Sequence, residues 1–345
     1  MSETSFGHDP LTTVERWIKN GRNVAIATVM ETWGSAPRPV GSQLAIDGDG
    51  NFEGSVSGGC VEGMVIAEAI DVIADGNSKM LQFGVADETA WRVGLSCGGR
   101  IRVYVQRLGP MDVVGLARLN SYRRSRATVV FLTDLANGAA RVITEDNIPD
   151  GALGEAVALG LRSGRSEIVG AEGAQYFLNV LVPPPRIVII GAVHISQALA
   201  PMARLAGFDV TIIDPRTAFA TPERFVDTDL IADWPGDVLV ERPLDAFTAL
   251  VAVTHDPKID DFSIAEAIRA GCFYIGALGS RKTHSSRIER LKTEDFSDAE
   301  LAGIHGPIGL NIGASGPGQI AVAILAQIIE SLGSHDVLSL KGNTR

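Results

Sequence analysis

The chain reads as two α/β domains, the second a Rossmann-like parallel-sheet domain. Three observations predict this. The 345 residues are 46% hydrophobic, enough for two cores rather than one. Pro183-Pro-Pro185 is a stiff extended break that no central strand can contain. Beyond it, apolar strand-like runs alternate with helical periodicity. The boundaries follow as 1–182 for the first domain, 183–185 for the linker, 186–333 for the second domain and 334–345 for a tail.

Taken in order, Leu11, Val14, Trp17 and Ile18 stand at helical spacing, and Gly21 ends that helix. Asn23–Met30 is a strand. Trp33-Gly-Ser-Ala-Pro-Arg-Pro-Val-Gly41 is a shaped loop carrying one cation, Arg38. Ser42–Ile46 and Phe52–Val56 form a hairpin about Asp47–Asn51. The hairpin runs into Gly54-Ser-Val-Ser-Gly-Gly-Cys-Val-Glu-Gly63, which joins a strand to a helix over Val61–Ala74. There, glycines permit unusual backbone, and hydroxyls and N–H groups are expected to face an anion. Cys60 stands at the start of the helix, where thiolates are favoured. Ser78–Phe83 is a strand. Gly94-Leu-Ser-Cys-Gly-Gly99 then repeats the Cys-Gly-Gly pattern before the strand Ile101–Gln106. A disulfide, a paired metal-ligand set and two unrelated turns all fit the two thiols, Cys60 and Cys97. The pattern continues through Asp112–Tyr122, Thr128–Thr133, Arg141–Thr144 and Gly151–Arg162 to a closing strand, Tyr176–Val182.

In the second domain, Arg186–Ile190 is a buried strand, Gly191 a turn, His194–Ala206 a helix and Phe208–Ile213 a strand. Asp214 follows at the spacing of a ribose-binding acid. The glycine fingerprint is broken: Gly191-Ala-Val-His-Ile-Ser196 has Val193 and Ser196 where glycines are wanted, which argues against NAD(P). Thr248–Val253 is a strand ending at Thr254-His255-Asp256, and Lys258–Ala270 a helix. Cys272–Ala277 is a strand with Cys272 in the core. Ser280 caps a helix whose first turn carries Arg281 and Lys282, a phosphate-site pattern. The last helix begins at Pro317. His194, Asp214, His255, Ser280–Lys282 and His305 all fall at the carboxyl edge of the predicted sheet, where ligands bind in such folds.

Composition removes several classes of function. The net charge of −11 argues against nucleic acid. Three cysteines at no zinc-ribbon spacing argue against a disulfide framework or a structural zinc site. The polar start lacks a secretory signal, and no apolar run reaches membrane-span length, so a cytoplasmic protein is expected.

Jointly these motifs resemble the XdhC/CoxI family of accessory proteins for molybdenum hydroxylases such as xanthine and carbon monoxide dehydrogenases. The matching residues are Gly34-Ser-Ala-Pro-Arg38 with Gly41, Gly54–Glu62, Cys97-Gly98-Gly99, Asp214-Pro-Arg216, Phe219–Phe225, Thr254-His-Asp256, Tyr274–Arg281 with Thr283-His284, Pro307–Leu310 and Ile312-Gly313. The resemblance runs from about residue 12 to 331. It departs at Val193, at Ser196 and at the start of the last helix, Pro317-Gly-Gln319.

The resemblance implies a cofactor chaperone rather than an enzyme with its own turnover. Such a protein binds molybdenum cofactor (molybdopterin), supports its sulfuration and delivers it to an apo molybdenum hydroxylase, with a cysteine desulfurase as second partner. A homodimer is left open. The residues this assigns to cofactor binding are Arg38, Ser57, Gly58, Gly59, Cys60, Glu62, Cys97, Gly98, Gly99, Gly191, His194, Asp214, His255, Ser280, Arg281 and Lys282. Cys60 and Cys97 are the expected contacts to molybdenum or sulfur. An NAD(P)-dependent oxidoreductase and a non-catalytic scaffold docking the hydroxylase are the alternatives.

Overall fold

The computed structural model describes residues 9–34, 36–84 and 99–334. The chain divides into two compact units between Pro183 and Pro184.

The first unit holds two antiparallel sheets. Helix α1 (Pro10–Lys19) starts at Asp9, whose carboxylate accepts from Thr12 N at 2.9 Å and from two Arg123 nitrogens at 2.7 and 2.6 Å. One residue thus caps α1 and ties it to α3 (Val113–Arg124). Strands β1 (Val24–Trp33), β2 (Gln43–Asp47), β3 (Phe52–Gly54), β4 (Lys79–Phe83) and β5 (Arg100–Leu108) form one sheet in the order β3-β2-β1-β5-β4. β1 runs three residues past the predicted Met30, because Glu31, Thr32 and Trp33 keep pairing with Arg102, Ile101 and Arg100.

Helix α2 (Glu62–Asp75) buries Val65, Ala69 and Val72 against Ala27, Val29, Val103 and Val105 of this sheet. The second sheet, β7-β6-β9-β8, comprises β6 (Val129–Asp134), β7 (Ala140–Ile143), β8 (Glu167–Ala171) and β9 (Ala174–Leu181). Helix α4 (Gly151–Ser163) covers it through Leu153, Val157 and Leu161.

The second unit is a six-stranded, fully parallel sheet: β10 (Arg186–Ile190), β11 (Asp209–Ile213), β12 (Asp229–Ile231), β13 (Thr248–Ala252), β14 (Tyr274–Ala277) and β15 (Ile304–His305). The order β12-β11-β10-β13-β14-β15 is the doubly wound Rossmann order, with its reversal between β10 and β13. Helices α5 (His194–Leu205), α6 (Pro235–Glu241), α7 (Pro257–Arg269), α8 (Arg281–Leu291), α9 (Asp298–Ala302) and α10 (Pro317–Ser334) connect and follow the strands. β14 starts at Tyr274, so Cys272 precedes the strand expected to contain it and is only half-buried. Burial there still pushes its thiol up to about 12. Among the described residues, no helix is long and apolar enough to cross a membrane.

Candidate functional site

In the first sheet the chain direction gathers the N-terminal motifs at one end. Trp33 pairs with Arg100, Phe83 with Ile101, and Gly54 with Leu44 beside the start of β2. The Trp33–Gly41 loop, the Gly54–Gly63 loop and Gly99 therefore leave or enter the sheet at the same end of its strands. Cys97 and Gly98 lie outside the described residues.

Gly54 is required where β3 becomes loop. Its φ is +96°, and a Cβ there would stand 2.4 Å from Gln43 O and 2.6 Å from Pro10 Cγ. The loop that follows is built around Glu62. Glu62 Oε1 accepts from Ser55 Oγ at 2.7 Å, Val56 N at 3.2 Å and Ser57 N at 2.8 Å. Glu62 Oε2 accepts from the Ser57 hydroxyl and from Gly59 N at 2.9 Å. The remaining amides are satisfied locally: Gly58 N donates to Ser55 Oγ, and Cys60 N and Val61 N to Ser57 Oγ.

This corrects one expectation. The hydroxyls and N–H groups of the motif do not face an external anion, because the chain's own carboxylate fills their nest. Burial pushes the Glu62 carboxyl up, but the hydrogen bonds from Ser57 and Ser55 outweigh it and hold the group at about 2. Ser57 and Glu62 are buried beneath the loop, while Gly58, Gly59 and Cys60 form its exposed crest. The crest stands immediately before the first turn of α2.

Pro37 lies against the crest, 3.8 Å from where a Gly58 Cβ would be. The next residue, Arg38, is exposed, and among the described residues no ion pair engages it. Trp33 is half-exposed under the Arg100 guanidinium, 5.3 Å from the ring centroid. The end of this sheet thus presents a thiol, a cation and an aromatic face. Among the described residues, no group of three or more His, Cys, Asp or Glu side chains is arranged to hold a metal ion.

In the second unit, the predicted residues fall at the carboxyl ends of the strands, but with different availability. Gly191 has φ +120°, and a Cβ would meet Thr254 Cγ2 at 2.9 Å, so the turn after β10 packs tightly on the end of β13. Ser196, in place of the third glycine, is fully buried and donates to Gly191 O at 2.6 Å. Asp214 is fully buried too. It accepts from Ala192 N at 2.7 Å and from Arg216 N, Nε and Nη2 at 3.0, 2.9 and 2.7 Å. Burial alone would raise its pKa, but the Arg216 guanidinium and the Ala192 N–H outweigh burial and hold it below its usual value. A ribose diol would have to displace Arg216 to reach it. Arg224 Nη1 donates to Ala192 O at 3.1 Å, so both polar groups of that peptide are engaged within the chain.

His194 opens α5, exposed. His255 is also exposed, with φ +65°, and its N–H donates to the buried Asp260 at 3.1 Å. Asp260 further accepts from Thr254 Oγ1 at 2.7 Å, and burial raises its pKa. Ser280 caps α8 by accepting from Thr283 N at 3.2 Å, leaving Arg281 and Lys282 on the surface. His305 stacks on Tyr274, with ring centroids 4.9 Å apart.

The sequence motifs contained Arg216 and Arg224 but gave neither a role, and nothing in the sequence singled out Asp260 or Arg287. The Asp214-Pro-Arg216 spacing carried a signal, since two residues suffice for a side-chain bridge. Arg287 carried none: it sits in the charged helix Arg281–Leu291, yet is 2% exposed, 3.4 Å from Asp261 and 3.8 Å from Asp260.

The chain is similar to known proteins over nearly its whole length. The sequence profile of the XdhC and CoxI family matches residues 17–84, and that of the XdhC Rossmann domain matches 187–328. A Bacillus subtilis protein, named as a probable component of xanthine dehydrogenase, is 27% identical, covering 93% of this chain and 96% of its own length. The Escherichia coli molybdenum cofactor insertion chaperone PaoD is also 27% identical, covering 94% of this chain and 90% of its own. A crystal structure described as a xanthine dehydrogenase from Bacillus halodurans shares the fold, with a TM-score of 0.70 at 23% identity, over 96% of this chain and 99% of that one. With one family profile matched in each unit, together over 17–84 and 187–328, and relatives aligned nearly end to end, the chain belongs to the XdhC and CoxI family.

Proposed function

We propose that this chain binds molybdenum cofactor as cargo and acts as an insertion chaperone for a molybdenum hydroxylase of the xanthine dehydrogenase type. The observation that carries this reading is the alignment, over 94% of the chain, with a relative named a molybdenum cofactor insertion chaperone. The chemistry of the first unit's sheet end supports it. Molybdenum is thiophilic, and Cys60 is exposed on a loop whose backbone is internally satisfied. The pterin carries a phosphate, and Arg38 is the exposed cation next to Pro37.

In this reading Cys60, with Cys97 as second thiol, contacts molybdenum or the incoming sulfur. Arg38 is exposed on the Trp33–Gly41 loop, Gly58 and Gly59 are exposed on the loop that carries Cys60, and Gly98 and Gly99 are assigned to cofactor binding with Cys97. The protein holds the cofactor while its terminal sulfido ligand is installed, receives sulfur from a cysteine desulfurase and hands the product to the apo-hydroxylase in the cytoplasm. In the second unit, Ser280, Arg281 and Lys282 offer a second place for phosphate, and His194 and His255 flank the reversal of the sheet. Asp214 serves the turn rather than a nicotinamide dinucleotide.

Co-expression with the cofactor pathway tests the reading. Purified wild-type protein is expected to carry molybdenum and release pterin, and Cys60→Ala with Cys97→Ala to lose most of both. Undiminished molybdenum in that double variant would refute the thiol role. Wild type devoid of cofactor, yet co-purifying with the hydroxylase, would favour a docking scaffold.

A further inference from the structure

The loop that presents Cys60 has an unusual internal economy. All six amides from Val56 to Val61 donate within the loop, and their acceptors reduce to three side chains, Ser55, Ser57 and Glu62. The two serine hydroxyls in turn donate hydrogen bonds to Glu62. The carboxylate is therefore the final acceptor of the whole arrangement. Both its oxygens are engaged and the residue is 8% exposed, so it is placed neither to ligate a metal nor to exchange a proton with a bound ligand. It is the first residue of α2, where a helix start favours negative charge, and the chain reverses over Gly58 (φ +76°) and Gly59 (φ +110°) above it. Backbone nests of this kind bind anions from solution in many proteins. Here the anion is covalently part of the loop.

We propose that Glu62 is the positioning residue of the cofactor-handling site: it fills the loop's anion nest from within, and so fixes where Gly58, Gly59 and Cys60 are presented. The inference rests on the reading that the crest touches the cofactor. It adds that the crest meets its ligand through the Cys60 side chain and the exposed faces of the glycines, not through amide N–H groups, which have no donors left to give. A phosphate or sulfate alone gains nothing from this loop.

The test uses the full chain with Glu62→Ala, which removes little more than an acetate ion. Two readouts are taken: amide hydrogen exchange over residues 55–61, and molybdenum retained after co-expression with the cofactor pathway. In Glu62→Ala the loop amides are expected to exchange at least about tenfold faster, as befits loss of charge-assisted hydrogen bonds, while the later turns of α2 keep their protection. Molybdenum retention falls. Added acetate then slows loop exchange and restores retention along one saturable curve, and acetamide does neither; a residue that only stabilised the fold would show no such anion-specific rescue. Unchanged loop exchange, or exchange that acetate does not slow, overturns the proposal, as does full molybdenum retention by a loop shown to be open. Should Glu62→Ala fail to fold, Glu62→Gln keeps the size and sets an NH2 group against the Gly59 N–H. It must then accelerate exchange at Gly59 and Cys60, and unchanged exchange there overturns the proposal equally. If Cys60→Ala keeps its molybdenum while the exchange and acetate results hold, the chaperone chemistry assigned to the thiol fails and the positioning of the loop stands.

Discussion

Acid should dismantle the Glu62 nest in a measurable way. The group's ordinary pKa is 4.5, and the folded loop holds it at about 2. A depressed carboxyl stabilises the fold above its unfolded pKa, and that stabilisation is lost as pH falls through the folded one. Moving from 4.5 to about 2 is worth about 3 kcal/mol at neutral pH, of which roughly half remains at pH 3. Glu62→Gln has no charge to lose, so the stability gap between wild type and Glu62→Gln should be about 3 kcal/mol at pH 7 and close to half that at pH 3. Other depressed carboxyls, among them Asp9, Asp47 and Asp214, titrate in both proteins and cancel in the difference. Urea unfolding of the two proteins at pH 7, 5, 4 and 3, followed by far-UV circular dichroism, reads the gap directly. A gap that stays constant from pH 7 to pH 3 would refute the reasoning, because the loop would then depend on the shape of residue 62 and not on its charge.

Gly54→Ala combines a left-handed φ with a Cβ 2.4 Å from Gln43 O and should cost about 2–4 kcal/mol in urea unfolding. A loss under about 0.5 kcal/mol, the range of a neutral surface change, would contradict the packing at the end of β3. Iodoacetamide at pH 7.5 should label Cys60 well ahead of Cys272, whose thiol is held at about 12; peptide mapping that finds Cys272 labelled first would reverse the assignment. Arg216→Ala strips a fully buried carboxylate of its charged partner and should destabilise the second unit by about 3 kcal/mol, read by thermal unfolding. Wild-type protein should show no saturable NADH fluorescence change up to millimolar concentration, and a hyperbolic response would restore Asp214 as a ribose acid.

Much of the second unit was legible because its strands are unbroken apolar runs, such as Ile187–Ile190 and Leu250–Val253, punctuated by Gly191 and by the acids and histidines that follow. What escaped were short or edge elements with no period to read: β12 is three residues long, β15 two, and β8 an edge strand with an exposed Glu167. At the candidate site, residue types and spacing identified Gly54–Gly63 and put Cys60 before a helix. They did not reveal where the Glu62 carboxylate turns. A glutamate at the start of a helix satisfies the same sequence pattern whether it faces a ligand or folds back over Ser57, and only the loop's backbone path decides between these. Arg287 shows the same limit, since nothing in a charged helix marks which cation is drawn inward by Asp260 and Asp261.

The antiparallel ladder of β4 and β5 has a practical corollary. Phe83 faces Ile101 and Leu81 faces Val103, so the chain leaves this sheet and returns to it at neighbouring points. With Phe83 opposite Ile101, Gly84 falls opposite Arg100, so a shortened chain in which two residues replace 85–98, Cys97 among them, would close this ladder with a three-residue turn that includes Gly99. The two thiols become separable by surgery rather than by point substitution. A shortened chain that still loads molybdenum would assign the task to Cys60 alone, and one that folds but stays empty would assign it to the excised segment.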